Sequence, residues 1–290
     1  MEQNTANAGI NWYPGHMTKA KRMMLEDIKL IDLVIELADA RIPMSSRNPD
    51  IDKMAAGKAR LILLNKADLA DEARSAEWVR YFAERGAYVL KTDSKSKSNM
   101  KAVFAVIAEA CKEKKERDRK RGIINRPVRA MVAGIPNVGK STFINSFAGR
   151  ACAKTGNKPG VTKGKQWIRL NKDVELLDTP GILWPKLGDA AVGSRLAFIG
   201  SVNDNIVDLT RLAAELAQFL RKEYPRALKE RYNADADCGE AEFFGAVARA
   251  RGCLKKGGEL DYDKAAAVLL EDFRSGKLGR ITIEAAGDYI

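Results

Sequence analysis

Eight consecutive residues, Gly134-Ile135-Pro136-Asn137-Val138-Gly139-Lys140-Ser141, have the types and spacing needed to hold a polyphosphate. They fit the pattern G-x-x-x-x-G-K-[ST], in which a glycine-rich backbone closes in and offers its N–H groups to phosphate oxygens. The backbone from Asn137 through Val138, Gly139, Lys140 and Ser141 to Thr142 supplies that cradle. Lys140 can reach the β- and γ-phosphates, and the Ser141 hydroxyl can bind Mg²⁺. The octet follows a Val/Ala-rich run and opens a helical pattern, the context such a loop requires.

A second group of residues completes the phosphate chemistry. Asp178 ends an apolar run, Val174-Glu175-Leu176-Leu177, and can hold Mg²⁺ directly or through water. Gly181, in Asp178-Thr179-Pro180-Gly181, can offer its N–H to a γ-phosphate. Thr162 lies 21 residues after Ser141 and is the candidate switch hydroxyl for the metal. Thr155 is the neighbouring alternative, ranked lower because Thr162 has the Pro159-Gly160-Val161-Thr162 setting.

Asn65-Lys66-Ala67-Asp68 reads a base. A carboxylate at Asp68 can accept from both N1 and N2 of guanine, whereas adenine would leave it unpaired, so the nucleotide is GTP or GDP. Ser94 is a candidate backbone contact to the same base. In an ordinary GTPase the phosphate loop comes first and the base reader last. Here the order is base reader, phosphate loop, then Asp178 to Gly181, which predicts a circularly permuted GTPase domain. Ile182 stands where many GTPases place a water-orienting glutamine, so intrinsic hydrolysis should be slow unless another group serves.

Three strand-like runs position the first motifs: Leu33 to Ala38, Leu61 to Leu64, and Ala87 to Leu90. A charged helical pattern lies around Glu72 to Arg85, and a helix is expected from about Thr18 with Met24, Ile28 and Ile31 on one face. Strands alternating with helices predict a mostly parallel sheet with helices on both faces. A helix from about Met100 should bury Val103, Val106, Ile107 and Ala110. It runs into Lys112 to Arg121, with seven basic and three acidic residues, as the linker that permutation requires. That stretch reads equally well as a solvated helix end or an RNA contact. The phosphate loop then sits between a strand at Val128 to Ala133 and a helix from Lys140 to about Ala148. Ile168/Leu170 and Val174/Leu176 flank Asn171-Lys172-Asp173 as a hairpin.

Beyond about Ser201 the pattern turns helical, with Ile206, Leu209, Ala213, Leu216 and Leu220 at helical spacing. Phe243 with Val247, and Ala266 with Leu269 and Phe273, continue it. The expected organisation is an α/β GTPase domain over 1–200 and a small all-α domain over 201–290 that binds RNA or ribosome. Its surface should carry Lys229, Arg231, Arg249, Arg251, Lys255, Lys256, Arg274, Lys277 and Arg280.

A net charge of +12 over 290 residues points to a polyanionic partner. Charge alone does not separate RNA, DNA and an anionic membrane. The four cysteines are far apart and fit neither a zinc site nor a disulfide framework, which suits a reducing cytoplasm. The polar start lacks a signal-peptide core, and no apolar run approaches bilayer length, so no membrane partner is expected. The free chain is expected to be monomeric.

The permuted order, Asn11-Trp12-Tyr13-Pro14-Gly15-His16-Met17, and Asp178-Thr179-Pro180-Gly181-Ile182-Leu183-Trp184-Pro185 together resemble the bacterial ribosome biogenesis GTPase A family of YlqF type. Asp39-Ala40-Arg41-Ile42-Pro43 and Asp272-Phe273-Arg274-Ser275-Gly276-Lys277-Leu278-Gly279-Arg280 extend the likeness over almost the whole chain. The resemblance implies a GTPase that assists late assembly of the large ribosomal subunit, binds its rRNA and is stimulated by that particle. It also implies a catalytic role for His16, the only histidine, and K⁺ coordination by Asn137. The plainer role for His16 is a loop histidine bonding to backbone or RNA phosphate. Competing functions are a GTPase acting on tRNA or another RNA, and a GTP-gated scaffold whose hydrolysis is incidental.

Overall fold

The computed structural model describes residues 22–94, 96, 99–152, 166–179 and 190–289. Six strands form one sheet in the order β3-β2-β1-β4-β6-β5. They are β1 (Leu33–Asp39), β2 (Ala59–Asn65), β3 (Tyr88–Thr92), β4 (Val128–Gly134), β5 (Gln166–Arg169) and β6 (Val174–Asp178). All neighbours are parallel except β5 and β6, which form the expected antiparallel hairpin. Every residue of β1 is buried, as an apolar strand covered on both faces must be.

From β1 the chain steps outward through β2 to β3. It then returns to β1's other edge as β4, and the β5–β6 hairpin that follows sets β6 beside β4 with β5 outermost. The strand order therefore reverses between β1 and β4, and ligands of open α/β sheets bind outside the carboxyl ends of strands at such a switch point. The phosphate loop follows β4 and the base reader follows β2, so both motifs open on that edge.

Helices cover both faces. One face packs Leu33, Ile35 and Leu37 with α4 (Met100–Ala110) and α6 (Lys140–Ala148). On the other, residues 22–27 are helical (α1) and bury Met24, followed by a 3₁₀ turn that buries Ile28, with Ile31 beyond it. This face also carries α2 (Pro49–Met54) and α3 (Glu72–Glu84). The cap of α3 is Asp71, whose carboxylate accepts from the Arg74 N–H, and its apolar stripe buries Trp78, Tyr81 and Phe82. In α4 the buried positions are Met100, Val103 and Ile107, while Val106 and Ala110 are half-buried at the edge of the stripe. The basic stretch is itself helical, α5 (Lys112–Lys120), with no buried residue.

Two short helices carried no clear periodic signal, α2 and α7 (Ala190–Phe198). Beyond α7 come α8 (Leu209–Glu223), α9 (Pro225–Tyr232), α10 (Glu240–Arg251) and α11 (Tyr262–Arg274). Asp208 and Asp261 cap α8 and α11, and Asn233 and Gly252 end α9 and α10 in left-handed conformations. The stripe of α8 is Leu212, Ala213, Leu216, Ala217 and Leu220. Ile206, assigned above to that stripe, sits in a 3₁₀ turn before the helix and is exposed, and Leu209 is half-buried. The helix begins only at Leu209, so Ile206 has no place in its register.

The last residues leave the helices and lie along the sheet domain. The Ile281 N–H donates to the Leu69 carbonyl at 3.0 Å and the Ile283 N–H to the Arg41 carbonyl at 2.7 Å. Buried Glu284 accepts from the Met44 and Ser45 N–H groups, the Ser45 hydroxyl and the Arg195 guanidinium. Tyr289 packs on Trp78. All four cysteines are free thiols, and burial pushes that of Cys111 up to about 11.

Candidate nucleotide site

Gly134 ends β4 against β1, where a β-carbon would stand 2.7 Å from the Leu37 carbonyl. Only glycine lets the two strands meet there. The loop then turns through Asn137 and Gly139, both left-handed at φ 59° and 101°, and enters α6 at Lys140. Buried Ile135 and Val138 anchor it from below. Its successive N–H groups and the start of α6 form an anion site.

Lys140 is 7% exposed and donates to the Gly134 and Ile135 carbonyls, both at 2.9 Å. Burial lowers its pKa to about 8, against the attraction of Asp178. Asp178, at the end of β6, is raised to about 6 by burial, opposed by Lys140 and by the Thr179 N–H. Its Oδ1 is buried and has no hydrogen-bond partner among the described residues. The Thr179 hydroxyl fixes the strand end by donating to the Val132 carbonyl at 2.7 Å. A desolvated lysine suits a triphosphate, and an orphaned carboxylate oxygen beside the Ser141 helix start suits a hard cation with oxygen ligands. Among the described residues no three His, Cys, Asp or Glu cluster as a metal cage.

The base reader is joined to this loop. Asn65, 1% exposed, donates through Nδ2 to the Val138 carbonyl at 2.7 Å. Its Oδ1 accepts from the Ser94 N–H at 3.0 Å and the Ser94 hydroxyl at 2.7 Å. The Ser146 hydroxyl of α6 in turn donates to the Ser94 carbonyl at 2.6 Å. Lys66, left-handed at φ 58°, donates to the Asn137 carbonyl at 3.0 Å. Asp68 stands exposed in the following 3₁₀ turn, where a base can reach it. Asn65, Lys66, Ser94 and the phosphate loop are thus one hydrogen-bonded unit.

Asp39 and Arg41 belong to this unit, although the sequence chemistry alone gave them no role there. Lys66 Nζ lies 3.0 Å from Asp39 Oδ2, and Arg41 grips the same carboxylate through Nε at 2.9 Å and Nη2 at 2.8 Å. Burial would raise the Asp39 pKa, but Arg41 and Lys66 hold it well below the usual carboxylate range. Arg41 is itself 1% exposed and donates onward to the Phe273 and Arg274 carbonyls at the end of α11. The signal was the Asp39-Ala40-Arg41 spacing at a strand end, but its partner helix lies more than 230 residues away.

The junction before the helices also touches the phosphate loop. Asn137 Nδ2 donates to the Gly200 carbonyl at 2.7 Å, and the Ser201 hydroxyl donates to the Pro136 carbonyl at 2.8 Å. Arg274, expected on the helical surface, turns inward instead. It binds the Phe198 and Ala197 carbonyls and both Asp204 carboxylate oxygens. His16, Thr155, Thr162, Gly181 and Ile182 lie outside the described residues.

A family model described as "50S ribosome-binding GTPase" matches residues 129–231. The chain is 47% identical to "Ribosome biogenesis GTPase A" of Bacillus cereus over 281 residues, 97% of this chain and 95% of that one. With the protein of the same name from Thermotoga maritima it shares 32% over 279 residues, covering 96% and 95%. Among solved structures, a GDP-bound YlqF superposes with a TM-score of 0.65 at 28% identity, covering 91% of this chain and 99% of that one. A GNP-bound YlqF from T. maritima gives 0.64 at 29%, covering 92% and 98%.

Proposed function

The chain belongs to the ribosome biogenesis GTPase A family, and from that membership we propose a GTP-hydrolysing assembly factor for the large ribosomal subunit. It would bind a precursor particle and its rRNA with GTP and leave on hydrolysis to GDP and phosphate. The observation that carries this reading is the union of base reader and phosphate loop through Asn65 and Lys66. The net charge of +12 and the relatives' names support the ribosomal partner.

Asp68 selects guanine, and the backbone from Asn137 to Thr142 together with Lys140 holds the phosphates. Ser141, Asp178 and Thr162 would hold Mg²⁺, which neutralises phosphate charge when bound. The side-chain carbonyl of Asn137 is a hard oxygen suited to K⁺ beside the phosphates. Gly181 would offer its N–H to the γ-phosphate, and His16 would orient the water that Ile182 cannot. Residues 1–200 would carry the nucleotide chemistry and 201–290 the rRNA contacts. The protein would act in the cytoplasm and be monomeric when free. Among the described residues no helix is long and apolar enough to cross a membrane.

The test is to fractionate cell extract with a slowly hydrolysed GTP analogue or with GDP. The protein should migrate with large-subunit particles in the first case and leave them in the second. Migration with free protein under both conditions overturns the reading.

A further inference from the structure

One carboxylate in the helical region holds three cations. Asp272, in the last turn of α11, is 1% exposed. Its Oδ2 accepts from Arg231 Nε at 2.9 Å and from the Tyr232 hydroxyl at 3.1 Å. Arg251 Nε lies 3.6 Å from the same oxygen, and Lys277 Nζ lies 3.8 Å from Oδ1. The cations come from α9, α10 and the turn after α11, so the tertiary fold brings them together. Their side chains are 26%, 34% and 50% exposed.

One cation suffices to neutralise a buried carboxylate, and Arg231 with Tyr232 already satisfies Oδ2. Oδ1 makes no hydrogen bond among the described residues, and Arg251 and Lys277, beyond hydrogen-bond distance, attract the carboxylate through charge alone while repelling Arg231 and each other. Among the described residues none of the three has another carboxylate within 4 Å. The cluster therefore presents two surplus positive charges to solvent. The terminal amino groups of Arg231 and Arg251 make no hydrogen bond within the described residues.

We propose that Arg231, Arg251 and Lys277, fixed around Asp272, form a binding site for a backbone phosphate of RNA. Guanidinium groups match the paired non-bridging oxygens of a phosphodiester, and an ammonium adds a point charge. The proposal rests on the reading above that rRNA is the partner, and it gives that contact an address.

The test is titration of purified large-subunit rRNA into the full-length protein from about 50 to 200 mM salt, the range in which counterion release is read. The variants are Arg251→Gln with Lys277→Gln, neither of which holds Asp272 by a hydrogen bond, and Lys255→Gln with Lys256→Gln. Losing one phosphate contact should lower the slope of log affinity against log salt by about 1. The Arg251/Lys277 variant should show that loss and weaken uniformly across RNA sequences. Its GDP affinity should match wild type, and its circular dichroism should show the same helical fold. Arg251→Lys with Lys277→Arg should restore the slope, since charge is what the site offers. An unchanged slope in the Gln variant, with a lowered one for Lys255/Lys256, overturns the site and leaves the rRNA reading standing. A flat salt response in wild type overturns both.

Discussion

The side-chain amide of Asn65 occupies the space into which a β-carbon on Gly139 would project. The strand that ends in Asn65 thus closes against the phosphate loop at a residue that is left-handed and lacks a side chain. Gly139→Ala must displace Asn65 and adopt a strained φ, at a cost of about 1–3 kcal/mol. If the free loop relaxes this strain and nucleotide must restore it, GDP and GTP affinity should fall by roughly 5- to 150-fold. Titration with a fluorescent guanine nucleotide reads this directly, and wild-type affinity would mean that the two motifs are not energetically joined.

Asp68 is exposed at the end of the base-reading turn, so its exchange should leave the fold alone. Asp68→Asn should weaken GTP by roughly 10- to 100-fold, since one partner of charged hydrogen bonds is lost. Xanthosine triphosphate should gain, because the new amide matches a carbonyl at that base position. Direct titration of both nucleotides decides, and unchanged GTP affinity would remove Asp68 from base recognition.

Asp39→Asn strands a guanidinium that is 1% exposed. Breaking a buried pair in this way costs about 3–5 kcal/mol, which urea unfolding at neutral pH should show. The Asp39 pKa is depressed on folding, so its contribution is complete above the unfolded value and fades as pH falls through the folded one. The gap between variant and wild type should therefore narrow below about pH 4, the ordinary value for this side chain. A gap that stays constant down to the acid transition would show that the Asp39 charge does not support the fold.

His16→Ala tests the proposal that this histidine replaces the missing glutamine. A loose phosphoryl-transfer transition state needs positioning and charge more than a strong base. Particle-stimulated hydrolysis should drop by at least about 100-fold, the scale of general acid–base assistance. GTP affinity, particle binding and the unstimulated rate should change far less. Surviving stimulation with weakened particle binding would make His16 an RNA contact instead.

The strands were legible because β1, β2 and β4 are short apolar runs ending in motif residues, and local composition carries both signals. Lys140, Asp178 and Asn65 were legible because their chemistry is tied to fixed spacing. Arg41 was not, since what makes it structural is a pair of carbonyls at the far end of the chain. The inward turn of Arg274 and the burial of Glu284 escaped for the same reason. A charged residue reads as surface until its tertiary partner is known. Ile206 failed in the opposite direction, because apolar spacing extends past a helix end that Asp208 sets.

The position of β4 has a consequence during synthesis on the ribosome. β1, β2 and β3 are complete by Thr92, but the strand that covers β1's second edge begins only at Val128. At about 5–20 residues per second, that edge waits roughly 2 to 8 s for Gly134 to be made. All seven of its residues are buried in the finished protein and five of them are apolar, so for that interval the nascent chain offers an open strand edge to foreign strands. A chain that made the phosphate-loop strand first would instead leave β4's own edge open until β1 was made, because β4 lies between β1 and β6. The permutation therefore changes which central strand waits uncovered during translation, from the phosphate-loop strand to β1.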